Sequence, residues 1–110
     1  MDAITPEVFD LEVEIVRFVA HHQPNIVACE FIDANGGVHT LIEKAPIVSD
    51  KDLDADCGYP LRGSIRCVVL NRWRDDTGRE LASISTHDPD HIESIGGLSE
   101  FVVLEAQISN

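Results

Sequence analysis

Residues 11–20 read LEVEIVRFVA. Leu11, Val13 and Ile15 alternate with Glu12 and Glu14, and a period of two is the mark of a strand with one face buried and the other in water. After Ile15 the apolar set moves to Val16, Phe18 and Ala20. One extra residue in a strand switches its face, so this change of phase predicts a β-bulge near Ile15. A strand bent in this way suits a barrel.

Downstream, His21 to Asn25 break the pattern and Ile26 to Ala34 read as a second strand, with Val27, Cys29 and Phe31 on one face. Asn35-Gly36-Gly37 tolerates positive φ and signals a hairpin. The returning strand runs from Val38 to about Val48, edged or interrupted at Pro46, which has no N–H to give a ladder. Residues 49–62, SDKDLDADCGYPLR, lose the alternation. Ser49 with Asp52 three residues on resembles a helix cap, so a short helical turn is expected at 50–55, ended by Gly58 and Pro60.

Ser64 to Arg74 form a long strand with Ile65, Cys67, Val69 and Trp73 on one face and Arg66, Val68, Leu70, Arg72 and Arg74 on the other. Asp75 to Gly78 make a turn, and Arg79 to His87 return. The last strand is Glu100 to Ile108, with Val102, Leu104, Ala106 and Ile108 as its apolar face and with Phe101 and Val103 implying partial burial of the other. The fold class is therefore all-β, mainly antiparallel: a six-stranded small barrel, or a sandwich, in a single domain over 1–110. Val13, Val27, Cys29, Phe31, Ile65, Val69, Leu104 and Ile108 are the expected core.

Against 8 Lys plus Arg the chain carries 20 Asp plus Glu, a net charge of −12. Such a surface repels phosphate backbones and anionic lipid, which excludes nucleic acid and membrane as first partners and favours a basic protein. Five of the basic residues, Arg62, Arg66, Arg72, Arg74 and Arg79, crowd one segment. They are expected to pair with acids on neighbouring strands. Cys29, Cys57 and Cys67 are an odd count without a C-x-x-C pair, so neither a disulfide framework nor a zinc finger is indicated. The acidic start, MDAITPEVFDLEVEIV, lacks the basic region of an export signal. With three free thiols expected, this reads as a cytoplasmic protein.

Asp50, Asp52, Asp54 and Asp56 invite a calcium reading, but an EF-hand loop counted from Asp50 meets Ala55 and Leu61 where Gly and Glu are required. The four carboxylates read better as a solvated turn anchored by Leu53 and available to a protein partner. Arg72-Trp73-Arg74 could anchor an interface or a planar ligand. Alternation instead assigns Trp73 to the end of the core and leaves Arg72 and Arg74 in solvent. His87, Asp88, Asp90 and His91 have the chemistry of a zinc-type ligand set, with His21 and His22 as further ligands if the fold joins the two loops. Pro89 argues against the helix that would converge them. Ser83, Ser85 and His87 alternate as a solvent-facing strand does, and there is no nucleophile elbow or phosphate loop.

These residues imply no cofactor. The expected function is a non-catalytic, acidic, protein-binding module, such as an inhibitor or immunity-type protein that neutralises a basic nuclease toxin. The alternatives are a small metal-dependent enzyme using the His87–His91 loop and a structural homo-oligomer joined through edge strands.

Overall fold

The computed structural model describes residues 7–110. The opening residues 1–6, part of the reading against an export signal, lie outside that range. The strands are β1 (Val8–Ala20), β2 (Ile26–Ile32), β3 (Val38–Lys44), β4 (Leu61–Arg74), β5 (Glu80–Ser85), β6 (Glu100–Leu104) and the short β7 (Ile108–Ser109). A one-turn helix α1 (Ala45–Val48) follows β3, and a 3-10 turn (Glu105–Gln107) joins β6 to β7. All ladders are antiparallel, in the order β3-β2-β1-β4-β5-β6. No helix of the described residues is long and apolar enough to cross a membrane.

The sheet curls into a half-barrel because β1 is long and bent. Its first half, Val8 to Ile15, pairs with β4, and its second half, Glu14 to Ala20, pairs with β2. The register on β2 slips between Ile15 and Arg17, where the sequence places a bulge. The curl brings the end of the chain back to its start, since β7 pairs with β1 at Asp10 and Leu11. The outer strands are also tied across: Ala34 N–H donates to Val102 at 2.8 Å and Ile95 N–H to Thr40 at 2.9 Å. Part of each exposed edge is thereby occupied, which limits pairing with another chain.

Leu11, Val13, Ile15, Val27, Cys29, Phe31, Leu41, Ile65, Cys67, Ile84, Phe101 and Val103 meet in one core. Val69 and Ile108 pack against it only in part. Phe31 and Phe101 meet edge to face at 5.0 Å, a favoured aromatic geometry.

Four expectations need correction. The helix is not at 50–55 but at Ala45–Val48, where Pro46 stands in its first turn and its missing N–H costs no bond. On β6 the apolar face is Phe101 and Val103, both buried, while Val102 and Leu104 are half-buried. Residues 105–107 form the 3-10 turn and are not strand. Trp73 does not close the core: the register of β4 on β5 slips between Val69 and Asn71, so Trp73 comes opposite Leu81 and is 38% exposed.

Gly63, opposite Val13 on β1, is a point of close contact between elements. A Cβ there would lie 2.7 Å from the Val48 carbonyl oxygen and 2.8 Å from Ile15 Cδ1. Only glycine lets α1 lie this close to β4.

Candidate protein-binding site

Asp50, Asp52, Asp54 and Asp56 all stand exposed on the loop between α1 and β4. The loop is held from several sides. Leu53 is buried in the core, and its carbonyl accepts from Asn25 Nδ2 at 3.0 Å. The Tyr59 hydroxyl donates to the Asp54 carbonyl at 2.6 Å, and Asp54 Oδ1 accepts from Asp56 N–H at 2.9 Å. Lys51 N–H donates to Ser49 Oγ at 3.1 Å. Burial and the neighbouring Cys57 and Asp54 raise the Tyr59 phenol above its ordinary range, which keeps it a donor. The backbone is thus fixed by one apolar anchor and short local bonds while the carboxylates face water.

All five arginines of the 62–79 segment hold an acid. The pairs are Arg62 with Glu12 at 2.8 Å, Arg66 with Asp90 at 2.6 Å, Arg72 with Glu105 at 2.9 Å, Arg74 with Glu80 at 2.9 Å and Arg79 with Asp75 at 2.8 Å. Because of the slip in β4, Arg72 shares the face of Ala82 and lies over the Phe9 ring at 5.0 Å. Arg72 and Arg74 both stand exposed, as alternation implied, and each holds its acid at the surface.

The His87–His91 loop is drawn together differently from a ligand shell. Its rings meet edge to face at 4.7 Å, and His91 N–H donates to the His87 carbonyl at 2.7 Å. Asp90 is taken by Arg66 through two bonds, Nε to Oδ2 at 3.0 Å and Nη2 to Oδ1 at 2.6 Å, while Asp88 stays exposed. Among the described residues no three His, Cys, Asp or Glu side chains converge to hold a metal ion. His21 packs on Phe18 at 4.8 Å, and His22 N–H donates to Asn25 Oδ1 at 3.2 Å. Ser85, expected to face solvent, is buried and its hydroxyl accepts from His87 N–H at 3.2 Å.

Two features escaped the sequence. Asp33 opens the β2–β3 turn, where its Oδ1 accepts from Asn35 and Gly37 N–H, each at 2.9 Å, and its Oδ2 contacts His39 Nε2 at 2.7 Å. The bond to His39, aided by those amides, holds the Asp33 carboxyl below the usual carboxylate range. The second is a groove of about 580 Å³ between β1 and β2, with Glu12, Glu14, Glu30, Ile32, Val38, Pro60 and Arg62 among its walls. Its residues are scattered through the chain, so no local pattern announces it. Compared with protein-family models, curated proteins and solved structures, the chain has no match.

Proposed function

We propose that the protein is a non-catalytic binding module whose acidic surface engages another protein, a basic one, as an inhibitor or immunity-type protein does. The observation that carries this reading is the anchored loop: four exposed aspartates on a backbone fixed by buried Leu53 and by Asn25. A loop already ordered loses less conformational entropy when a partner docks. Its carboxylates also steer a cationic partner during diffusion. The arginines that could have neutralised them are committed to Glu12, Asp75, Glu80, Asp90 and Glu105. The three free cysteines fit a reducing, cytoplasmic setting for this role.

The test is capture of the partner from the native source with the wild-type chain and with Asp50, Asp52, Asp54 and Asp56 all changed to Asn. Association with the captured partner should slow as salt rises from about 0.01 to 0.15 M, because the screening length contracts from about 30 to 8 Å. The quadruple variant should associate more slowly at low salt. Equal capture by both proteins, with a rate indifferent to salt, would remove this reading.

A further inference from the structure

From the outer surface where β2 leaves β1, we infer a docking groove for an extended, lysine- or arginine-bearing segment of another protein. The inference rests on the reading above and adds a second contact surface, beyond the aspartate loop. β1 pairs with β7 at Asp10 and Leu11, and with β2 only from Glu14 onward. On that side Glu12 and Val13 have no strand partner among the described residues. The gap is crossed by a side chain, Gln107, whose Nε2 donates to the Ile32 carbonyl at 2.8 Å. The space that remains is the 580 Å³ groove.

Its apolar part is a cross-strand pair. Ile32 and Val38 face one another across β2 and β3 and are 58% and 59% exposed, which is unusual for aliphatic side chains opposed in a sheet. Its polar part is acidic. Glu14 and Glu30 are direct cross-strand neighbours, an arrangement that repels when both are charged. Arg62 lies opposite Glu14 on β4, yet its guanidinium bonds Glu12. The wall therefore holds Glu12, Glu14 and Glu30 against Arg62 alone.

Charge decides the occupant. A second copy of a chain at −12 would bring more carboxylates to this wall. A segment alternating cationic and aliphatic residues matches both parts: its cations reach Glu14 and Glu30, and its aliphatic side chains cover Ile32 and Val38. Pro60, the last residue before β4, lines the groove, so one partner can touch the groove and the aspartate loop together.

The probe is the blocked peptide Lys-Val-Lys-Val-Lys, titrated at about 0.02 M salt into protein labelled for methyl and amide NMR. Saturable shifts at the Ile32 and Val38 methyls are expected, and they should be lost with Glu-Val-Glu-Val-Glu. Lys-Ser-Lys-Ser-Lys should bind more weakly because it covers no apolar surface. Changing Glu14→Gln and Glu30→Gln together should weaken the Lys-Val peptide about fivefold, the scale of two exposed ion pairs. The same change should raise the melting temperature, which separates lost binding from lost folding. At about 0.15 M salt, where screening confines attraction to contact range, the quadruple Asp→Asn loop variant should bind this peptide within about twofold of wild type. Shifts confined to residues 50–56, or equal binding by the Glu14/Glu30 variant, would overturn the groove and leave the aspartate-loop reading standing. Absence of any saturable shift would overturn the groove alone, since the aspartate-loop reading stands or falls on capture of the protein partner.

Discussion

Asp33 does at one position what a longer turn would need several residues to do. Its carboxylate satisfies two turn amides and reaches His39, which also packs on Phe101 at 4.7 Å, so the hairpin tip is tied to β6. Asp33→Ala should cost about 1 to 3 kcal/mol in urea unfolding at neutral pH, the scale of bonds lost around a charged acceptor. Its folded pKa is depressed, so this contribution is complete above the unfolded carboxylate range and falls away as pH drops through the lower, folded value. The difference between wild type and variant should accordingly shrink below about pH 4; a gap that persists in acid would assign Asp33 a packing role only. Gly63 is sensitive for a steric reason. Gly63→Ala puts a methyl against the Val48 carbonyl oxygen, a backbone atom that moves only with α1. A loss of about 1 to 3 kcal/mol is expected, and an unchanged urea midpoint would show that α1 is free to lift. The thiols divide by burial, which pushes Cys29 up to about 12 and Cys67 to about 11. In the native protein a thiol reagent near pH 8 should label Cys57 alone, and after denaturation all three cysteines.

The elements are joined by one turn used three times. At Asp33–Gly37, Asp75–Arg79 and Ser94–Leu98 the first N–H donates to the fifth carbonyl, the fourth N–H donates to the first carbonyl, and the first side chain accepts from the fifth N–H. The fourth residue is Gly36, Gly78 or Gly97, each at positive φ. The sequence announced the first two through Asn-Gly-Gly and Asp-Asp-Thr-Gly, because Asp and Gly are strong turn formers. The third begins at Ser94, a weaker turn former than Asp, and carries the apolar Ile95 and Leu98, which are 71% and 50% exposed. The bulge in β1 was legible because polar residues mark its phase, with Glu12 and Glu14 fixing which face is wet. On β6 both Phe101/Val103 and Val102/Leu104 are apolar, so pattern could not choose; contact of Phe101 with Phe31 and His39 chose. Trp73 was misplaced because the slip at Leu70 leaves no mark in LNRWR. Between β1 and β2 the opposed Glu14 and Glu30 set an element-scale expectation. Glu30→Gln should stabilise the fold by about 0.2 to 1 kcal/mol, read as a higher urea midpoint, and a lower midpoint would mean that Glu30 has a favourable partner.

For the molecule as a whole the charge was legible from composition, and so was the pairing of the arginines with acids, although only Glu12 and Glu80 lie on neighbouring strands while Asp75, Asp90 and Glu105 come from turns and loops. The aspartate loop could be picked out because its residues are contiguous. The groove could not, because Glu14, Glu30, Val38 and Arg62 become neighbours only when β1, β2, β3 and β4 are in register. Two electrostatic effects then compete over the whole surface. Five arginine pairs at 2.6 to 2.9 Å favour the fold, and self-repulsion at a net charge of −12 opposes it. Salt does not weaken them equally. At about 0.15 M the screening length is about 8 Å, well beyond the span of a contact pair but short against a molecule extending 43 by 40 by 24 Å. Repulsion between distant carboxylates is therefore removed first while the contact pairs largely persist. Raising NaCl from about 0.01 to 0.15 M should increase the melting temperature, although the protein is laced with salt bridges. The quadruple Asp→Asn variant, with four charges fewer, should melt higher than wild type at low salt and converge with it as salt is added. A melting temperature that falls with salt would mean that the arginine pairs outweigh the repulsion, and the exposed carboxylates would then be part of the fold's support and no longer a surface held in reserve for a cationic partner.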